Sequence, residues 1–237
     1  MRYGLFSDVH SNLEAFEAVL TAMARERIEK FLCLGDIVGY AANPNECLNR
    51  LRQLPAVVVA GNHDLATVGH PILYELYDAA REAAEWTAAQ LTEENKTWIQ
   101  TLPLVAQEGE ATLVHGSLFE PEEFHYIHKP SEIEQNFSLM ETPLCFVGHS
   151  HFPWIMEEGE ETAVGEIIYR KGKKYLVNVG SVGQPRDGDV RASFCIWHSE
   201  ERRIELRRVP YNIETVQRKI LASRLPAWFA ERLAIGK

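Results

Sequence analysis

Along this chain, short apolar runs alternate with stretches in which apolar residues recur at helical spacing. Tyr3–Phe6 is such a run. After the turn Asp8-Val9-His10-Ser11-Asn12, the residues Leu13, Phe16, Val19, Leu20 and Met23 keep a three-to-four spacing up to about Arg27, which predicts a helix. Phe31–Leu34 reads as the next strand, giving a βαβ unit whose crossover is expected to be right-handed. Asn43-Pro44-Asn45-Glu46 opens a second helix, with Asn43 as N-cap and Pro44 at the first helical position; Leu48 and Leu51 continue it until Pro55. The run Ala56–Ala60 completes a β-α-β-α-β order, the pattern of a mostly parallel sheet.

The character then shifts. From Pro71 to Trp98 the spacing is helical, with Leu73, Leu76, Tyr77, Ala80, Ala84 and Trp86 on the apolar side, and Thr92-Glu93-Glu94-Asn95 starts a further short helix. Residues 71–98 directly follow a polar loop at Gly61–Asp64, so they are a candidate lid; a plain packing layer over the sheet accounts for the pattern equally well. Leu118 to Pro130 is irregular and Ser131 to Met140 helical. Beyond His151 two hairpins are expected: Thr162–Tyr169 with Lys174–Val179 around Arg170–Lys173, and Ala192–His198 with Arg203–Val209 around Ser199–Arg202. The second half thus reads as antiparallel, and Ile213 to Lys237 returns to helix. No repeat, low-complexity tract or linker divides the chain, so one domain over residues 1–237 is expected, an α/β fold with mixed sheets.

A formal net charge of −10 over 237 residues changes the functional picture. A surface that acidic repels a phosphate backbone, which disfavours stable nucleic-acid binding. A phosphate substrate would need local cations. Cys33, Cys47, Cys145 and Cys195 are far apart and form no C-x-x-C pair, so neither a disulfide framework nor a structural zinc site is expected. No signal-peptide pattern and no apolar run of transmembrane length occurs, from which a cytoplasmic location without membrane partners is expected.

The candidate chemistry sits where the apolar runs stop. Five of them end in Asp, Asn or His: Gly4–Phe6 before Asp8 and His10, Phe31–Leu34 before Gly35-Asp36, Val57–Ala60 before Gly61-Asn62-His63-Asp64, Thr112–Val114 before His115, and Cys145–Val147 before Gly148-His149-Ser150-His151. Open α/β sheets hold their sites at such strand ends. Asp8, His10, Asp36, Asn62, His115, His149 and His151 form a mixed oxygen and imidazole set that suits Mn²⁺ foremost, or Zn²⁺, Fe²⁺ or Ni²⁺. Seven ligands are too many for one such ion. Shared between two ions, with Asp36 as the bridge, they leave coordination positions open for water and substrate. Two divalent cations against two carboxylates keep the site positive, which suits phosphate chemistry with a bridging hydroxide as nucleophile.

These five motifs, in this order over residues 8 to 151, resemble the calcineurin-like metallophosphoesterase superfamily, and Gly180-Ser181-Val182-Gly183-Gln184-Pro185-Arg186 resembles a later element of its small prokaryotic members. The resemblance implies a four-layer αββα sandwich. It implies a first metal on Asp8, His10, Asp36 and His151, and a second on Asp36, Asn62, His115 and His149. His63 would face the substrate, protonating the leaving oxygen or stabilising transition-state charge, and Asp64 would anchor the loop or His63. Gly39-Tyr40 stands where protein phosphatases of the superfamily carry Asp-Arg, so a phosphate clamp is missing. Arg186 and Asn12 are candidates to replace it, and Tyr40 is a candidate to stack on a substrate ring. Alternatively, Arg186 is simply paired with Asp187 or Asp189 on the surface, and Tyr40 is a packing residue. His125 and His128 are expected on an exposed loop. His70 and His198 offer no functional argument, the Glu157–Glu161 run reads as a solvated turn, and Arg202, Arg203, Arg207 and Arg208 as a solvent face.

The function expected is hydrolysis of a small phosphomonoester or phosphodiester, a nucleotide among the candidates. A protein phosphatase, a dinucleoside polyphosphate hydrolase and a non-catalytic interaction scaffold on the same fold are the alternatives. The oligomeric state, homo-oligomer included, is left open by the sequence.

Overall fold

Three parallel strands carry the first part of the chain, as the alternation of strand and helix predicts. They are β1 (Arg2–Phe6), β2 (Lys30–Cys33) and β3 (Ala56–Val58), joined by α1 (Leu13–Ala24) and α2 (Pro44–Arg52). The computed structural model describes residues 1–160 and 164–237. After β3 come α3 (Asn62–Ala66), a 3₁₀ turn (Pro71–Glu75), α4 (Asp78–Gln90) and α5 (Glu93–Gln100). There follow β4 (Val105–Glu108), β5 (Ala111–Val114), α6 (Pro130–Leu139), β6 (Leu144–Val147), β7 (Trp154–Glu157), β8 (Glu166–Ile168) and β9 (Tyr175–Asn178). Last are β10 (Ala192–His198), β11 (Arg203–Val209), α7 (Ile213–Ala222) and α8 (Ala227–Glu231).

The strands form two mixed sheets, in the orders β3-β2-β1-β10-β11-β8 and β4-β5-β6-β9-β7. The sheets pack face to face. Leu5, Leu32 and Leu34 of the first meet Leu113, Leu144, Phe146 and Val177 of the second, with Trp197 stacked on Tyr3 at 4.4 Å between ring centres. Helices α1 and α2 cover the outer face of the first sheet through Phe16, Val19, Leu48 and Leu51. On the far side Phe137 of α6 packs on Cys145, Val147 and Leu176. The result is the expected αββα stack of four layers. Each large apolar side chain sealed in these layers contributes roughly 1.5–3 kcal/mol.

One expected pairing is overturned. The strands predicted as a hairpin across Arg170–Lys173 lie in different sheets: β8 pairs with β11, and β9 pairs with β6 and β7. The link is a crossover between sheets. All four residues of β9 are buried, which demands neighbours on both sides, whereas β8 is a half-exposed edge strand. Nor is the second half all antiparallel, since β9 runs parallel to β6. The expected start at Thr162, and Glu161 at the end of the acidic run, lie outside the described residues.

In the segment 71–98, Ala80 and Ala83 of α4 pack with Val216 and Phe229 of the C-terminal helices and with Tyr40. Among the described residues, no helix is long and apolar enough to cross a membrane.

Candidate metal centre

The loops that leave β1, β2, β3, β5 and β6 meet at one rim. Asp8, His10 and His151 gather there into one group, and Asp36, His115 and His149 into a second, the ligand atoms of each lying within 4.8 Å of one another. Asp36 stands between them: its Oδ2 is 3.6 Å from His10 Nε2 and 3.3 Å from His115 Nε2. Asn62, first residue of α3, belongs to the same rim. All seven are buried, none more than 7% exposed.

Holding them there strains the backbone. Asp8, His10, Asp36, His149 and His151 all have φ between 48° and 64°. For a side chain bearing a Cβ, this left-handed region costs about 1–2 kcal/mol per residue, and such strain collects at functional sites. Two glycines admit the close approach of the loops. A Cβ on Gly61 would fall on Asp36 Oδ1, and one on Gly148 would fall on Ser7 Oγ and come within 2.6 Å of Asp8 Oδ2.

Proton positions follow from the backbone acceptors. The Nδ1 atoms of His10, His115 and His151 meet the carbonyls of Val38 (3.2 Å), Leu34 (2.6 Å) and Gln184 (2.6 Å). A carbonyl accepts only, so each Nδ1 carries a proton, and the neutral rings of His10 and His151 turn a bare Nε2 lone pair inward. His10 Nε2 then faces His151 Nε2 at 3.1 Å, lone pair to lone pair. His115 Nε2 lies 3.1 Å from His149 Nδ1. Asp8 Oδ1 and Asn62 Oδ1 are buried without a hydrogen-bond partner. The Asp8, His10 and His151 side thus lacks positive charge at its centre, and the oxygen and imidazole donors fit a divalent cation on either side of Asp36.

The electrostatics agree. Against burial, which raises it, the neighbouring His151 holds the Asp8 carboxyl well below the usual range. Burial likewise opposes, and His115 with His63 overcomes, in the lowering of Asp36. His115 goes the other way: burial would lower it, but Asp36 and Asp8 raise it to about 9. Its proton occupies a place a metal ion can take. Burial holds His10 and His149 well below the ordinary imidazole value, which keeps them neutral as ligands must be.

Around this cluster the remaining candidates separate. His63 is buried, its Nδ1 has no partner, and it lies edge-on to His10 at 5.0 Å; burial pushes it down to about 4. Its backbone N–H donates to Asp36 Oδ1 at 2.9 Å. Asp64 anchors the loop rather than His63. Its Oδ1 accepts the N–H groups of Ile37 (2.8 Å) and Val38 (3.1 Å), and its Oδ2 accepts that of Gly61 (3.1 Å).

Asn12 is a correction. Its Oδ1 caps α1 by accepting from Ala15 N–H, its Nδ2 donates to the Gly183 carbonyl, and at 1% exposure nothing is left for a substrate. Tyr40 is another. Its ring is 4% exposed, packed against His63 at 4.4 Å, His10 at 4.5 Å and Phe229 at 4.7 Å, with no free face for a substrate ring. Arg186 lies over the Tyr40 ring at 5.9 Å. It is not paired on the surface: Asp187 is taken by Arg208 and Asp189 by Arg191.

His125 and His128 are exposed, as expected, with His125 stacked on Phe119 and His128 on Tyr126. His70 caps the 3₁₀ turn, and His198 is buried against Glu205. The basic stripe of β11 is ion-paired, Arg203 and Arg207 both meeting Glu205. Glu157 accepts from the Tyr175 hydroxyl at 2.6 Å, so the acidic run is not wholly solvated. Sequence reasoning missed Tyr126, which stacks on His149 at 4.0 Å. It lies in the irregular stretch where no periodicity marks a position. Beside it a cleft of about 360 Å³ is lined by Phe119, His125, Tyr126, His128 and Lys129 among others.

Known proteins share this architecture. Residues 1–202 match the calcineurin-like phosphoesterase superfamily domain. An uncharacterised protein of Methanocaldococcus jannaschii is 40% identical, with 98% of this chain and 97% of that one covered. The crystal structure of a metallophosphoesterase from Sphaerobacter thermophilus superposes with a TM-score of 0.90 at 38% identity, covering 100% of this chain and 99% of that one. A hypothetical protein from Pyrococcus horikoshii has the same fold, with a TM-score of 0.82 at 20% identity and coverage of 100% and 98%.

Proposed function

Because the chain belongs to the calcineurin-like phosphoesterase superfamily, we propose that it hydrolyses a small phosphomonoester or phosphodiester with the help of two divalent ions, Mn²⁺ first among them. The observation that carries this reading is the convergence of two ligand groups on Asp36: Asp8, His10 and His151 on one side and His115 with His149 on the other, with the bare Nε2 atoms of His10 and His151 facing each other at 3.1 Å. Asp8, His10, Asp36 and His151 would hold the first ion, and Asp36, Asn62, His115 and His149 the second. Bound there, the ions supply Lewis acidity and an activated water. His63, whose ring lies at His10 and has a free Nδ1, either donates a proton to the leaving oxygen or steadies charge on the phosphate. Arg186, with no carboxylate partner among the described residues, lends positive charge to the substrate side of the rim, and Asp64 keeps the 36–39 loop in register.

Purified protein loaded with Mn²⁺ is expected to turn over p-nitrophenyl phosphate or its bis ester. His63→Ala should lower kcat by a factor on the order of 10²–10⁴, the usual worth of an acid–base group. Full rate in that variant would remove His63 from the chemistry. Inertness of the loaded wild-type protein on both esters would sink the reading itself.

A further inference from the structure

Two arginines converge on one neutral oxygen beside the candidate metal centre. Arg186 donates to Gln184 Oε1 at 2.9 Å, and Arg232, arriving from the far C-terminus, donates to the same oxygen at 2.9 Å. Neither has an Asp or Glu partner among the described residues, whereas Arg191 and Arg208 do. Arg232 Nε also meets the terminal oxygen of Lys237, which offsets part of its charge, and its guanidinium lies over the Trp228 ring at 5.6 Å. Arg186 Nε is buried with no partner at all. Like charges held this close in a half-buried place are unfavourable unless an anion joins them.

The place of this pair says which anion. Gln184 holds the candidate ligand His151 through its backbone carbonyl at 2.6 Å, while its side chain holds the arginines. Arg186 also lies over Tyr40, which packs against His63. Arg186 therefore borders the position a phosphate would take at the ions, with Arg232 joined to it through Gln184. Taking the metal centre as that of a phosphoesterase, we propose that Arg186, Arg232 and Gln184 form a second anion subsite, which selects substrates bearing a second anionic group, phosphate or carboxylate, beyond the scissile phosphate. Planar guanidiniums bind such groups through paired charge-assisted hydrogen bonds.

The test uses three probes that cannot be hydrolysed, titrated calorimetrically into Mn²⁺-loaded protein: methylphosphonate, 3-phosphonopropionate and 1,3-propanediphosphonate. One or both of the doubly anionic probes should bind about 10–100-fold tighter than methylphosphonate, the worth of one or two charge-assisted bonds; the better of the two identifies carboxylate or phosphate as the second group. Gln184→Glu is isosteric and leaves the backbone carbonyl to His151, but it places a carboxylate between the arginines. It should erase the advantage of the doubly anionic probes, and Arg232→Gln should reduce it. Methylphosphonate binding with no gain from a second charge, or a gain that survives both substitutions, overturns the subsite alone. Failure of the loaded protein to bind methylphosphonate overturns the phosphoesterase reading and the subsite with it.

Discussion

Asp64 offers a way to separate a residue that shapes the site from one that does the chemistry. Its carboxylate is fully buried and spends both oxygens on backbone N–H groups, two from Ile37 and Val38 and one from Gly61. Asp64→Asn keeps the size and can leave its oxygen to Ile37 and Val38. The amide nitrogen must then face the Gly61 N–H, donor against donor. Losing one bond to a charged acceptor costs about 1.5–3 kcal/mol, and the remaining two weaken as the charge goes. A total near 2–4 kcal/mol is expected, a large share of an ordinary stability of about 5–15 kcal/mol. In a chain of this size that lowers Tm by roughly 5–15 °C. Thermal unfolding of the metal-free protein reads this directly. Turnover of p-nitrophenyl phosphate with saturating Mn²⁺, below the lowered Tm, should fall less than about tenfold. An unchanged Tm together with a loss of about 10²–10⁴ in kcat, the range of an acid–base group, would show that Asp64 takes part in the reaction and that the anchoring argument is wrong.

Two further substitutions probe the neighbouring loops. Gly148→Ala drives a methyl into Ser7 Oγ and against Asp8 Oδ2, so it should destabilise by about 1–3 kcal/mol as overpacking does and weaken metal uptake; wild-type Tm and metal content would contradict the close approach. Asn12→Ala removes a helix cap and should cost about 1–2 kcal/mol while KM for p-nitrophenyl phosphate stays within roughly threefold; a large rise in KM would return Asn12 to the substrate.

Much of this was legible in the chain because the information is local. The β10–β11 hairpin falls on the predicted residues, Ala192–His198 and Arg203–Val209, since its two long runs are joined by a four-residue turn that brings them side by side. Strand ends likewise announce Asp8, Asp36, His115 and His149, because a buried strand must stop where polar groups begin. Which sheet a strand joins is not local. The runs before and after Arg170–Lys173 have the alternation of a hairpin, yet full burial of Tyr175–Asn178 sends that strand to the centre of the other sheet. For Asn12 the sequence shows only its place two residues after His10, which suggests a phosphate contact; that it caps α1 through the Ala15 N–H emerges only from the fold. Tyr126 gave no signal, for it reaches His149 through an irregular loop that turns at Phe124 with φ of 51°.

The most direct measurement is anomalous diffraction from crystals grown with Mn²⁺. Two peaks about 3.5–4 Å apart are expected, one among Asp8, His10 and His151, the other among Asn62, His115 and His149, with Asp36 Oδ2 between them. A single peak, or none at that rim while the crystals hold manganese elsewhere, would contradict the two-ion centre.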